Sequence, residues 1–204
     1  GKTTILNMVA GLLEPTGGDV DVLGKQPRQA RWEMSYMFAR DALLPWRSAI
    51  ANVEIGLELR GVAGRKRTEI ARDLLRRMRL DGAENKLPSQ LSHGMRQRVA
   101  LARTWATDPK LLLMDEPFAA LDAQTREAVR AEFLAFWEAS RRTVIFVTHD
   151  LDEALLMADR VLLLGGGRIL REHRVEFARP RVQRTLEDDQ DFRDLRDDLR
   201  AYLQ

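Results

Sequence analysis

The sequence predicts an α/β fold in which a parallel-sheet core is interrupted by an inserted helical segment, and three observations carry that prediction. Leu111-Leu112-Leu113-Met114 is a continuous apolar run of strand length, the mark of a strand buried on both faces. It closes on Asp115-Glu116, two carboxylates at the carboxyl end of a core strand, where open α/β sheets bind ligands. Between residues 48 and 109 the apolar positions recur at helical spacing instead. Just before the apolar run, Ser92 and Gly94 sit where a helix should start, with Val99, Leu101 and Ala102 supplying its apolar face. Free backbone N–H groups and the positive dipole end make such a start an anion site. Of the two carboxylates, Asp115 can hold a magnesium ion and Glu116 can orient or deprotonate an attacking water.

The chain opens on Gly1-Lys2-Thr3-Thr4, which matches the end of the phosphate-binding loop Gly-x-x-x-x-Gly-Lys-Ser/Thr. In that loop backbone N–H groups cradle phosphates, a lysine reaches the β- and γ-phosphates and a hydroxyl binds magnesium. The match gives the lysine's part to Lys2 and the hydroxyl's to Thr3, with Gly1 and Thr4 flanking them. The motif's first glycine and the strand before it are not in the chain, so the sequence reads as a piece of a longer protein.

Residues 5–10 continue as a helix ended by Gly11, and Glu14-Pro15-Thr16-Gly17-Gly18 is turn chemistry. Residues 19–24 alternate like a half-buried strand, and residues 34–38 read as another. Leu43-Leu44-Pro45-Trp46 sets large apolar residues around a proline, either an exposed patch or a loop packed on the helical segment. In that segment Ile70, Leu74, Leu75 and Met78 keep helical spacing, with Arg65, Arg67, Arg72, Arg76 and Arg77 between them. Mixed with Glu69 and Asp73, these arginines read as a solvated face rather than a nucleic-acid patch. Leu87-Pro88-Ser89-Gln90 breaks the helices before Ser92.

Beyond the two carboxylates, Asp122 reads as the cap of a helix over 123–139 that buries Val129, Phe133, Phe136 and Trp137. Residues 143–147 read as a second fully buried strand, ending in Thr148-His149-Asp150. A short helix over 152–158 and a strand, glycine turn and strand over 161–170 follow. Residues 187–202, with Phe192, Leu195, Leu199 and Tyr202 on one stripe, read as an amphipathic helix.

Composition narrows the classes. With 204 residues, 45% hydrophobic, the chain can build one real core. Lys+Arg 33 against Asp+Glu 31 leaves +2, which implies no polyelectrolyte partner. The absence of cysteine excludes disulfides, zinc fingers and thiol catalysis. No apolar run approaches the ~20 residues of a membrane span, and no signal peptide pattern is present.

Ser92-His93-Gly94-Met95, Asp115-Glu116 and Ala120-Leu121-Asp122, in this order, resemble the nucleotide-binding subunit of an ABC transporter. The signature departs from the family's Leu-Ser-Gly-Gly-Gln at His93 and Met95 and keeps Ser92 and Gly94. Ala39 stands where the family has a glutamine that reaches the magnesium. The resemblance implies a P-loop NTPase (RecA-like) core with an inserted helical subdomain: core over 1–47 and 110–175, insert over 48–109, and a helical tail over 176–204. It implies an ATPase that binds ATP and Mg2+ in a head-to-tail dimer of identical chains. There Gly1, Lys2, Thr3, Thr4 and Asp122 bind nucleotide, Thr3 and Asp115 bind the metal, and Glu116 and His149 act in hydrolysis. Ser92 and Gly94 would face the nucleotide of the partner subunit. Dimer closure would drive a separate membrane permease, supplied by a periplasmic or surface substrate-binding protein, with no nucleic acid involved. The chain would then sit peripherally on the cytoplasmic face of the inner membrane. The Leu43-Leu44-Pro45-Trp46 loop resembles the nitrate, aliphatic sulfonate and taurine importer group.

Two other classes remain. An ABC-type ATPase acting on DNA or ribosomes would need coiled-coil or zinc insertions between Lys2 and Ser92, or a second nucleotide domain, and neither is in the sequence. A degenerate, non-hydrolysing subunit is favoured by Ala39 and His93 and opposed by Lys2, Asp115, Glu116 and His149.

Overall fold

The computed structural model describes residues 1–203. They form two compact units, one of Thr4–Val147 and one of Gly1–Thr3 with the segment from Thr148 onward.

Helix α1 (Lys2–Val9), which belongs to the larger unit from Thr4 onward, runs into Gly11, whose φ of +69° is the left-handed turn that a glycine tolerates best. A short helix α2 (Pro27–Ala30) leads to strand β1 (Met34–Met37). Three helices follow, α3 (Ala49–Leu59), α4 (Gly64–Arg77) and α5 (His93–Ala106), which pack on one another. Strand β2 (Leu111–Asp115), helix α6 (Ala123–Ser140) and strand β3 (Thr143–Val147) complete the unit.

The three strands form a parallel sheet ordered β1-β2-β3, with Met34 opposite Leu111 and Leu111 opposite Thr143. Parallel strands need crossovers, and here the helical segment makes one and α6 the other. Strand β2 lies in the middle and every one of its residues is buried, as its apolar run predicts. Leu6 of α1 packs with Leu111, Leu113, Met34 and Val147 in one cluster. Full burial of such a side chain stabilises by about 1.5–3 kcal/mol. A second aromatic knot ties α5 to α6: Trp105 meets Phe136 edge-on at 4.6 Å and Phe133 at 5.8 Å.

Two sequence expectations fail in this unit. Residues 19–24 form only an isolated bridge, Val22 to Lys25, around a turn closed by the Gly24 N–H on Asp21. The alternation is present, but a strand needs a neighbour to satisfy its backbone, and none lies beside it among the described residues. Strand β3 is not fully buried: residues 143–146 alternate between exposed and half-buried, with Ile145 40% exposed, and only Val147 at its end is buried. It pairs with β2 alone among the described residues, so apolarity marks a strand that is covered on fewer sides than β2. Arg65, Arg76 and Arg77 of α4 face water as expected, pairing with Glu69 and Asp73 in surface bridges that contribute little each, whereas Arg67 is half-buried beside Glu54 of the preceding helix.

Just before β1, Glu33 lies between two lysines. Hydrogen bonds from Lys110 and then Lys25 pull its carboxyl from an ordinary 4.5 down to about 2. A carboxyl lowered on folding stabilises the fold above its unfolded value, and that contribution disappears as pH falls from 4.5 toward 2. Glu33→Gln should therefore lower the melting temperature at neutral pH, by a gap that closes in acid. An equal gap at about pH 7 and about pH 2.5 would contradict the pairing.

The smaller unit holds helix α7 (Leu151–Met157) and an antiparallel hairpin of β4 (Arg160–Gly165) and β5 (Arg168–Arg174), with a bulge at Leu163/Leu164. Helices α8 (Gln183–Glu187) and α9 (Gln190–Ala201) follow. The α9 stripe is as the sequence suggests at Phe192 and Leu199, which are buried, whereas Tyr202 is 40% exposed. Buried Arg181 gathers carbonyls of Phe177, Val175 and Leu155, satisfying backbone that no sheet or helix pairs.

Candidate functional site

The end of β2 is built for rigidity. Asp115 is its last residue and only 8% exposed, while Glu116 turns out of the strand at a φ of 45°. That left-handed conformation costs a non-glycine residue about 1–2 kcal/mol, so the surroundings must impose it. They do so at several points. The Glu116 N–H donates to the Val147 carbonyl at the end of β3, 2.9 Å away, and the Glu116 carbonyl accepts from the Ala119 N–H at 3.2 Å. Phe118 is fully buried and meets Phe133 edge-on. The Pro117 carbonyl accepts a hydrogen bond from the Gln97 amide of α5. The Asp115 charge also reaches β1: burial, and next that charge, raise the Tyr36 hydroxyl above its ordinary value.

Ser92 caps α5 by accepting from the Met95 N–H at 3.3 Å, and Asp122 caps α6 by accepting from the Thr125 N–H at 3.0 Å. That backbone bond, with the Thr125 hydroxyl, holds the Asp122 carboxyl below the usual range. The two helix starts touch. A Cβ on Gly94 would stand 2.6 Å from the Thr125 methyl, so Gly94 has a packing reason to lack a side chain. The structure thus brings Ser92 and Gly94 beside the helix that Asp122 caps. His93, exposed, is the first residue of α5.

Leu43 to Trp46 form a loop held from two sides. Asn52, fully buried on α3, accepts from the Leu44 N–H at 2.8 Å and donates to the carbonyls of Leu44, Arg47 and Ser48. From α5, Arg96 binds the Asp41 carboxylate at 2.9 Å, and Arg103 reaches the carbonyls of Asp41 and Ala42 at 2.7 Å. Both readings of this stretch hold in part: Leu43 is buried where the loop packs on the helical segment, while Trp46 is left 74% exposed. Ala39 is exposed and brings no polar side chain.

Thr4 belongs to the larger unit, and Gly1, Lys2, Thr3 and His149 belong to the smaller. Lys2 is the first residue of α1 and half-buried, while Gly1 and Thr3 are exposed. His149 is exposed in the link that leads to α7, whose cap is Asp150 accepting from the Glu153 N–H at 3.1 Å. No cluster of three or more acidic, histidine or cysteine groups fit to hold a metal occurs among the described residues. In the larger unit the buried Asp115 carboxylate is a single hard oxygen donor, which suits magnesium, an ion that keeps waters and takes phosphate oxygens for the rest of its shell.

Sequence reasoning passed over Gln97, Asn52 and the Arg96–Asp41 pair. Gln97 had a legible signal, since it follows Gly94 by three and precedes Leu101 by four, placing an amide on the buried face of α5.

The ABC transporter family profile matches residues 1–119. An uncharacterized ABC transporter ATP-binding protein of Methanocaldococcus jannaschii is 46% identical over 92% of this chain and 71% of its own length. A taurine import ATP-binding protein of Shigella flexneri is 43% identical over 88% of this chain and 71% of its own length. A dimeric ATP-binding cassette solved in a post-hydrolysis state with ADP and Pi superposes with a TM-score of 0.77 at 31% identity, covering 87% of this chain and 82% of that one. The chain belongs to the ABC transporter family, as an ATP-binding, ATP-hydrolysing cassette of a transporter.

Proposed function

We propose that this cassette powers an importer of a small sulfonate or related anion, taurine first among them, through a separate membrane permease. The observation that carries the reading is the clamped loop that exposes Trp46, a surface suited to receiving a partner rather than to packing within the unit. The likeness to taurine import ATP-binding proteins supports the substrate class. No helix among the described residues is long and apolar enough to cross a membrane, so translocation would fall to another chain. We assign the chain to the cytoplasmic face of the inner membrane, with a substrate-binding protein acting at a distance and nucleic acid having no part.

Glu116 orients a water for in-line attack on the γ-phosphate and draws off its proton as the new P–O bond forms and the bond to ADP breaks. Its rigid turn fixes the carboxylate before substrate arrives. Lys2 places a fixed positive charge on the phosphates, and Gly1 and Thr4 flank it in the loop. His149 donates a hydrogen bond to the transferring phosphate. Asp115, and Thr3 through its hydroxyl, would hold magnesium, which would supply charge neutralisation at the phosphates. Ser92 and the N–H groups near Gly94 bind the nucleotide of a second copy, and Asp122 orders the helix start beside them. Residues 48–109 then act as the arm that carries Ser92 toward that copy.

Truncating a large exposed anchor costs about 2 kcal/mol of binding, a factor of about 30. Trp46→Ala should therefore weaken permease capture by the purified cassette about thirtyfold and lower taurine uptake in cells. Its melting temperature should stay within a few degrees, since Trp46 buries little. Unchanged capture and uptake would remove the loop from the coupling surface.

A further inference from the structure

Gln97 is 2% exposed, and its amide makes one described contact, Nε2 donating to the Pro117 carbonyl. Its Oε1 is buried with no partner among the described residues. A side chain kept only for packing would not leave a buried acceptor unpaired, because that costs about 1–3 kcal/mol. The bond it makes falls on the residue directly after Glu116. There the backbone sits at an unfavourable φ and its direction depends on external supports. Neighbouring Arg96 holds Asp41, and Ser92 starts the same 14-residue helix. One rigid rod therefore grips the exposed loop, the signature serine and the Glu116 turn.

We propose that Gln97 is a positioning residue for hydrolysis, setting the Glu116 carboxylate through the Pro117 carbonyl and making that setting depend on where α5 stands. This rests on Glu116 acting on water, as argued above. Ala39 brings no polar side chain, so the link from the exposed loop to the helix runs through the Asp41 carboxylate that Arg96 holds.

The test compares steady-state MgATP hydrolysis by the full chain, Gln97→Met and Gln97→Glu, with Glu116→Gln as control. Met keeps volume but cannot donate. Its kcat should fall about tenfold with KM within about twofold, since a small misplacement of a catalytic group costs rate rather than affinity. A buried glutamate has a raised pKa, and only its protonated form can donate to the Pro117 carbonyl. The ratio of Gln97→Glu to wild-type kcat should therefore rise as pH is lowered from about 8 to about 6. This second arm decides the matter if the methionine variant does not fold. A kcat for Gln97→Met within twofold of wild type, or a depressed Gln97→Glu ratio that stays flat with pH, overturns the proposal. If Glu116→Gln matches wild type, the reading of Glu116 itself fails and takes this one with it.

Discussion

Glu116→Gln is expected to lower kcat for MgATP about a hundredfold or more while nucleotide still binds. A positioned general base is worth roughly 10²–10⁴ in rate. The amide keeps the shape of the carboxylate but cannot take a proton, so chemistry should suffer and affinity should not. The turn itself should survive, because the Val147 carbonyl, the Phe118 anchor and Gln97 support it through backbone hydrogen bonds and packing that the amide leaves in place. ATP trapped in a long-lived dimer of the variant, seen by size-exclusion chromatography, would accompany the rate loss. Turnover near wild type would move the base to another residue.

Asn52→Ala should produce the largest loss of stability outside the apolar core. Asn52 is completely buried and serves the Leu44 N–H and the carbonyls of Leu44, Arg47 and Ser48. Removing four hydrogen bonds at once, and with them the described partner of the half-buried Leu44 N–H and Arg47 carbonyl, should cost about 3 kcal/mol. For a chain of this size that is a fall of about 6–12 °C in melting temperature. Asn52→Leu restores the volume without the bonds and should recover little of the loss, which separates hydrogen bonding from packing. Full recovery with leucine would mean that Asn52 is a space-filler. Because the same residue holds the loop that carries Trp46, Asn52→Ala should also weaken permease capture.

Helix starts and the central strand were legible without coordinates because their determinants are local. Ser92 and Asp122 cap their helices through hydrogen bonds that span three residues, so the sequence order alone specifies them. The all-apolar run of β2 reported a strand covered on both faces, and it is. The similar run at 143–147 misled, since hydrophobicity says that a strand can be buried and not which neighbours will cover it. The alternating residues 19–24 misled for the same reason.

By itself the sequence determined the family and the chemistry on offer: a lysine and hydroxyls at a loop end, a buried carboxylate with a second beside it, a serine-capped helix. Those are properties of residue type and spacing along the chain. Only the tertiary structure decided that Gln97 holds the Pro117 carbonyl, 20 residues away, that Asn52 and Arg96 clamp the exposed loop, and that Gly94 must stay bare against Thr125. Each of these joins residues that no local pattern links. Which amide meets which carbonyl depends on how the helices pack, and packing is decided by the whole core at once.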